Sequence, residues 1–326
     1  MNNYTKILIP TQPHADTVVA IFLLKSFGTE KYSGIENASV ETSPQAPEGE
    51  SADSLMQKGI FPLDLEGGQF DHHGSDTTAS ELVAKDLGIA DSPALTKLLA
   101  YAERDDKYGA GTLSQDPIDK AFGLSGLIFM LNRAHPEDPN ETVDAVFPLL
   151  HAYYLEEYRR TEDLPREFEE KLQNGKAEQV EVRHKRQKTK IVFIESDSHS
   201  IVGWLRASSG AKADVVVQHT SAGYVNILTR QFKRIDLRLV TSLIREEELR
   251  ARGESRQIPV NVLTNPGRIQ EVPDWYYDRA TNSILNGSVN PKGVSPTKIP
   301  FEALKKLVTR GLEELVIQKN TRPPRA

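Results

Sequence analysis

The stretch Gly59-Ile-Phe-Pro-Leu-Asp-Leu-Glu-Gly-Gly-Gln-Phe-Asp-His-His-Gly74 decides the fold. Its apolar start, residues 59–64, predicts a short buried strand that ends on Asp64. Two glycines form a turn, and Asp71, His72 and His73 follow. Histidine is scarce, with 8 in 326 residues, so an adjacent pair beside two acids favours a metal site over an incidental polar turn.

Upstream of this stretch, Lys6–Ile9 is a short apolar run that predicts the first strand of a parallel sheet. The almost wholly apolar residues 17–27 predict a buried helix. His14 and Asp16 then lie in a strand-to-helix turn at the carboxyl edge of the sheet, where open α/β folds place ligands. Taken alone, Asp16 is equally well explained as a helix N-cap and His14 as an exposed loop residue.

Downstream, residues 75–87 and 92–104 predict two helices, and the second leads into Arg104-Asp-Asp106. Two acids at a helix C-terminus oppose the macrodipole. Their presence indicates either a nearby cation or pairing with Arg104 and Lys107, and the sequence leaves both open. Residues 42–57 are predicted to form a polar loop with a short turn of helix at its end, and residues 116–175 have helical spacing throughout.

A shift in composition near residue 175 predicts two domains, 1–175 and 176–326. Beyond it, alternating apolar runs predict strands at residues 179–183, 189–195, 213–219, 223–229 and 284–288. Longer amphipathic runs predict helices at residues 201–208, 236–250 and 299–317. The predicted fold is α/β, with a mostly parallel sheet and flanking helices, followed by a smaller α+β C-terminal domain.

Composition excludes several classes of protein. The chain has no cysteine, which rules out disulfides, zinc-thiolate sites and cysteine nucleophiles. It has no apolar run of about 20 residues and no signal-like start, so we expect a soluble, cytoplasmic protein without a membrane partner. Residues 1–182 hold 15 Lys+Arg against 32 Asp+Glu, whereas the remainder holds 25 against 14. This asymmetry suits an anionic substrate, or simply reflects two differently charged surfaces.

The candidate ligands at the sheet edge are carboxylates and imidazoles: His14, Asp16, Asp64, Asp71, His72, His73, Asp105 and Asp106. Such a set suits Mn²⁺ or Mg²⁺ better than Zn²⁺. Two such ions can activate a water and neutralise a phosphoryl transition state, so the chemistry predicted is hydrolysis of a phosphoester or phosphoanhydride. The chain lacks a Gly-x-Ser-x-Gly elbow and a phosphate loop of the Gly-x-x-x-x-Gly-Lys-Ser/Thr type.

These motifs resemble those of the DHH phosphoesterase superfamily. The set His14-Ala-Asp16, Asp64 with its Gly-Gly turn, and Phe70-Asp-His-His73 is most similar to the Myg-type (melanocyte proliferating gene) branch. The resemblance covers about residues 1–110 and is looser around Trp275 and residues 286–288. It implies a manganese-dependent phosphoesterase with an α/β catalytic domain, a smaller substrate domain, and 3′–5′ exonuclease activity on RNA or short oligonucleotides.

Position by position, the resemblance implies metal ligation by His14, Asp16, Asp64 and His72, joined by Asp106 in preference to Asp105. His73 would face the scissile phosphate, and Asp71 would orient a histidine. The implied substrate-binding residues are Arg104, Asn286, Gly287 and Ser288.

Two positions depart from the branch's pattern. Ile9 stands where the branch has a histidine, and Thr17 stands where it has a glutamate. One metal position is therefore short of a protein ligand, which leaves open whether two ions bind or one. The alternative function is a non-catalytic nucleotide- or RNA-binding protein with a depleted metal site. The sequence also leaves the natural substrate and a homodimer open.

Overall fold

The computed structural model describes residues 3–109, 111–287 and 293–313. The chain divides into two compact units, Met1–Glu162 and Asp163–Ala326, whereas the sequence places the division at residue 175. Both units are α/β. Among the residues described, no helix is both long and apolar enough to cross a bilayer.

The first unit is built on a three-stranded parallel sheet with the strand order β2-β1-β3. Ile7 of the central strand lies opposite Val40 on one side and Phe61 on the other. The predicted α/β class, with parallel strands and flanking helices, is confirmed for this unit. The strands are β1 (Lys6–Ile9), β2 (Ser39–Thr42) and β3 (Ile60–Pro62).

Helix α1 is the centre of this unit. Residues 15–24 are all buried, because α1 packs against α3, α4 and α7 as well as lying beside the sheet. An apolar surface on all sides explains why its sequence shows no polar face. The helices are α1 (Ala15–Phe27), α2 (Ala52–Gln57), α3 (Ala79–Asp86), α4 (Thr96–Tyr108), α5 (Pro117–Phe122), α6 (Leu124–Ala134) and α7 (Pro139–Tyr158).

Several bounds differ from the sequence-based prediction. Strand β2 was not predicted, because only Val40 of its four residues is buried and a single apolar residue gives no alternation. Helix α3 begins four residues later than predicted, since Thr78 caps its N-terminus by accepting a hydrogen bond from the Glu81 amide. Helix α4 runs on to Tyr108, so Asp105 and Asp106 lie inside its last turn.

The second unit is built on a seven-stranded mixed sheet with the order β4-β5-β6-β7-β10-β9-β8. Among the described strands, β5 and β6, the second and third from one edge, are parallel, and the other neighbouring pairs are antiparallel. The strands are β4 (Ala177–His184), β5 (Gln187–Glu195), β6 (Val215–His219), β7 (Val225–Thr229), β8 (Gly267–Ile269), β9 (Val272–Asp278) and β10 (Ser283–Asn286).

Helices cover both faces of this sheet. Phe168 and Leu205 join Val192 in one apolar cluster, so the helix that contains Phe168 belongs to this unit. Ile244 and Val308 join the fully buried Trp275 in another. The helices are α8 (Leu164–Gln173), α9 (His199–Arg206), α10 (Arg238–Ala251), α11 (Val260–Leu263) and α12 (Phe301–Leu312). The predicted closing helix, 299–317, extends in part beyond the described residues.

Candidate metal centre

The predicted ligands of the first unit come together at the carboxyl ends of β1 and β3. His14 and Asp16 lie at the start of α1, and Asp64 lies two residues beyond β3. His72 follows in the loop that leads to α3, and Asp106 projects from the last turn of α4. The site therefore combines four chain segments, which the parallel sheet brings to one edge.

Asp64 has an unusual backbone conformation and an unpaired oxygen. Its φ is +57°, a left-handed value that costs most residues about 1–2 kcal/mol and that Asp and Asn tolerate best. Its side chain is only 5% exposed, yet Oδ1 has no hydrogen-bond partner among the described residues. A buried carboxylate oxygen without a partner is costly unless a cation or proton satisfies it.

Three imidazoles surround this carboxylate. Nε2 of His72 lies 3.0 Å from Asp64 Oδ1, although the pair does not have the geometry of a hydrogen bond. Nε2 of His14 lies 3.9 Å from Asp64 Oδ2, and Nδ1 of His73 lies 3.8 Å from Oδ1. On its other side, Nδ1 of His72 lies 3.8 Å from Asp106 Oδ2. His72 is thus placed between two acids.

The ligand atoms form two groups in which all members lie within 4.8 Å of one another. One group contains Asp16, His72 and Asp106, and the other contains Asp64, Asp71 and His73. The donors are oxygen and nitrogen without sulfur, as Mn²⁺ and Mg²⁺ prefer. Together with the unpaired Asp64 oxygen, this donor set fits a divalent metal ion.

Asp16 is fully buried and also holds the start of α3. Its Oδ2 accepts a hydrogen bond from the Ala79 amide at 2.9 Å, and its Oδ1 accepts one from the Ser80 amide at 3.1 Å and another from the Ser80 hydroxyl. The carboxylate therefore satisfies two amides that a helix N-terminus leaves free. The residue does act as a cap, but for α3 rather than for its own helix.

The two acids of α4 have different surroundings. Oδ2 of the buried Asp105 accepts a hydrogen bond from the Ala15 amide at 3.3 Å, at the N-terminus of α1. Asp106 instead faces His72 and Asp16. The neighbouring cations do not pair with either acid, since Arg104 donates to the Gly111 carbonyl and Lys107 pairs with Glu103. The structure thus groups Asp106, and not Asp105, with the candidate ligands Asp16 and His72.

Asp71 orients His73. Its Oδ1 lies 2.7 Å from His73 Nδ1 and also accepts the His73 amide, while its Oδ2 accepts the Gly67 amide at 2.8 Å. Although burial raises the pKa of Asp71, these hydrogen bonds outweigh it and the net pKa is lowered. The same contact raises the pKa of His73. The His73 side chain is 63% exposed, against 11% for His72, so His73 is the more accessible of the two to a bound substrate.

The acids clustered in the site also shift the pKa values of His14 and Asp106. Burial lowers the pKa of His14, but Asp64, Asp16 and Asp106 more than compensate, and the net pKa is raised. The pKa of Asp106 is raised by burial and by the charges of Asp16 and Asp64, although His72 opposes this. A bound cation would offset the burial of Asp106 and the negative charge around His14.

The remaining predicted site residues have other surroundings within their own units. Asn286 is fully buried, and its amide group is used by hydrogen bonds to the backbone of Asp274, Ser295 and Thr297. Gly287 follows it with a φ of +89°, and Ser288 lies outside the described residues. Arg104 is a half-buried residue of α4 and donates a hydrogen bond to the Gly111 carbonyl.

The two departures from the branch's pattern supply no ligand. Ile9 is fully buried in the core and Thr17 is 2% exposed on α1. Sequence reasoning missed the contribution of Ala79 and Ser80, which hold Asp16. The signal for it was Thr78-x-x-Glu81, a capping pattern that marks the start of α3 beside the site.

No protein-family model matches this chain, and no curated protein matches it. Among solved structures, the chain is similar to an uncharacterized protein from Helicobacter pylori G27, with 12% sequence identity and a TM-score of 0.24. That similarity covers 95% of this chain and 99% of the other. The function is therefore argued from the residues of the site.

Proposed function

We propose that the chain is a metal-dependent phosphoesterase whose centre is the cluster around Asp64. The observation that carries this proposal is the buried Asp64 Oδ1, which has no hydrogen-bond partner among the described residues and lies 3.0 Å from His72 Nε2. A carboxylate oxygen and an imidazole nitrogen this close together can bind the same cation. His14, Asp16, Asp64, His72 and Asp106 would hold Mn²⁺ or Mg²⁺.

We further propose membership of the DHH phosphoesterase superfamily, in the Myg-type branch. The support is the correspondence between the motif residues and their places: Asp16 at the start of α1, Asp64 after β3, and Asp106 at the end of α4. The proposed substrate class is a phosphodiester or phosphomonoester, with the 3′ end of RNA or a short oligonucleotide as the first candidate.

The chain's own residues divide the work of such a reaction. When bound, the metal ion supplies Lewis acidity that lowers the pKa of water and offsets phosphoryl charge. His73, held through Nδ1 by Asp71 and with a raised pKa, presents Nε2 to solvent as a donor for a phosphate oxygen. Asp16 and Asp105 keep the two helix starts in place beside the ligands.

A second candidate, a nucleotide- or RNA-binding protein with a depleted metal site, is favoured by one observation. Ile9 and Thr17 are buried and add no ligand, and both oxygens of Asp16 already accept hydrogen bonds. The number of ions bound distinguishes the two candidates. Two ions support the phosphoesterase, whereas one ion without hydrolysis supports the binding protein.

The test is Mn²⁺-dependent hydrolysis of bis-p-nitrophenyl phosphate by the wild-type chain and by Asp64→Asn. Asn keeps the left-handed backbone conformation but removes the charge, so the fold is retained. We expect activity to fall at least about 100-fold, since losing even an outer-shell partner of a metal costs up to that much. Metal content, measured by mass spectrometry, should fall in parallel.

The matched control is Asp91→Asn, which removes an exposed carboxylate of the same unit and should leave activity within about twofold. Hydrolysis that persists in Asp64→Asn would contradict the proposed centre.

A further inference from the structure

A second site candidate lies in the second unit, where three turns surround a cavity of about 500 Å³. The turns are Lys185–Arg186 between β4 and β5, residues 230–237 between β7 and α10, and residues 279–282 between β9 and β10. The lining includes Lys185, Arg234, Arg238 and Arg279. All of these groups belong to the second unit, whereas the candidate metal ligands belong to the first.

The charge around this cavity is strongly positive. Its single acid, Asp236, is held by Arg238, with Nη2 at 2.7 Å and Nε at 3.0 Å, and by Lys185 at 3.2 Å. The Arg238 contact, assisted by Lys185, keeps the pKa of Asp236 far below its usual range. Arg234 and Arg279 have no acidic partner within the described parts of the chain. Four cations therefore face one neutralised acid.

A hydrogen-bonding group also faces the cavity without a partner. Tyr277 is 3% exposed and lines the cavity, but its hydroxyl makes no hydrogen bond to any described residue. Burial raises the pKa of Tyr277, as does Asp236, while Arg279 and Arg238 lower it. Although the residue as a whole is buried, its hydroxyl oxygen is open to solvent in the cavity. It can therefore donate a hydrogen bond to a ligand bound there.

Backbone strain is concentrated in the same turns. Positive φ values occur at Lys185 (+45°), Arg186 (+66°), Arg234 (+46°) and Asn282 (+52°). The two-residue turn at Lys185–Arg186 requires the conformation that Asn-Gly adopts most readily. Lysine and arginine rarely adopt this conformation, and such strained residues persist where the surroundings or the function require them.

From the cavity, its charge and the unpartnered Tyr277, we propose that this pocket, the turn pocket, binds the phosphate group of a phosphorylated ligand. A guanidinium group can donate two parallel hydrogen bonds to two oxygens of one phosphate. A phosphate also carries more negative charge than a carboxylate, which has one. Arg234 and Arg279 would grip the oxygens, and Tyr277 would donate its hydroxyl. This proposal holds whether or not the metal centre hydrolyses its substrate.

The test is calorimetric titration of the full chain, in EDTA, with three probes: inorganic phosphate, adenosine monophosphate and a short single-stranded oligonucleotide. We expect Arg234→Gln and Arg279→Gln each to weaken binding about tenfold, and Tyr277→Phe about fivefold. The matched control is Arg310→Gln, which removes an exposed arginine of the same unit that has no ion pair to a described residue.

The control should bind within about twofold of wild type, since distant charges are screened by salt. Equal affinity for phosphate and for adenosine monophosphate indicates that the pocket recognises the phosphate group alone. Tighter binding of the nucleotide or the oligonucleotide indicates further contacts to the rest of that ligand. Absence of binding by all three probes, or an equal loss in Arg310→Gln, overturns the proposal. Circular dichroism verifies that each variant is folded.

Discussion

Asp16 and Asp64 are both buried acids of the metal centre, but they differ in what satisfies them. Asp16 accepts three hydrogen bonds from Ala79 and Ser80, whereas Asp64 Oδ1 has no hydrogen-bond partner within the described residues. A buried acceptor that is removed leaves its donors unpaired. The same kind of residue can thus stabilise the metal-free protein at one position and strain it at another.

This contrast predicts opposite effects of substitution on stability. In EDTA, Asp16→Ala should lower the free energy of unfolding by about 2–4 kcal/mol, because amide donors at the α3 N-terminus lose their acceptor. Asp64→Asn should change it by less than about 1 kcal/mol or raise it, because Oδ1 has no hydrogen bond to lose and the burial of a carboxylate charge is relieved. Urea denaturation measures both, with Asp91→Asn as control. A larger loss in Asp64→Asn than in Asp16→Ala would contradict the assignment.

Metal binding should depend on pH through His14. Its pKa in the metal-free protein is raised above the ordinary value of 6.5, and the ring must lose its proton before it can bind a metal. Affinity is therefore full well above that pKa and falls as the pH drops through it, by up to about tenfold per unit for one proton. Calorimetric titration with Mn²⁺ between about pH 8 and pH 6 measures this, and a constant Kd would contradict it.

At the scale of elements, the end of α4 explains why two consecutive acids occupy a helix C-terminus. Asp105 interacts with the N-terminus of α1 through the Ala15 amide, where the helix dipole favours negative charge. Asp106, one residue on, faces the histidine side of the site. Both acids oppose the dipole of α4, but each has a different interaction that offsets this: Asp105 with the start of α1, and Asp106 with His72.

Substitutions of Asp105 and Asp106 should have different effects on metal binding and on stability. Asp106→Asn should weaken Mn²⁺ binding at least about tenfold with little change in stability, because a ligand is lost. Asp105→Asn should lower stability by about 1 kcal/mol, as loss of a helix cap does, and leave affinity within about threefold. Titration calorimetry and urea denaturation on both variants provide the measurements. A reversed pattern would make Asp105 the ligand.

At the scale of the whole molecule, the proposed metal centre and the turn pocket belong to different units. Each unit has its own apolar clusters, the first around α1 and the second on the faces of the mixed sheet. Ligands for the two sites should therefore stabilise different parts of the chain.

Thermal unfolding of the full chain should accordingly show two transitions with separate ligand responses. Mn²⁺ should raise only the transition of the first unit, and phosphate only that of the second. A ligand at 100 times its Kd adds about 2.7 kcal/mol to the unit that binds it. Differential scanning calorimetry measures this, with Asp64→Asn abolishing the first shift and Arg234→Gln reducing the second. A single transition that both ligands raise equally would contradict independent units.

Local patterns alone determined much of this protein. The apolar run of residues 17–27, the strand at Lys6–Ile9 and the set of acids and histidines could be predicted because burial and turns follow from neighbouring residues. Only the tertiary structure decided that Asp16 caps α3, that Asp105 meets Ala15, and that Arg234, Arg279 and Tyr277 line one cavity. These contacts join segments far apart in sequence. The spacing of apolar residues along the chain indicates local helices and strands, but not which distant side chains come into contact.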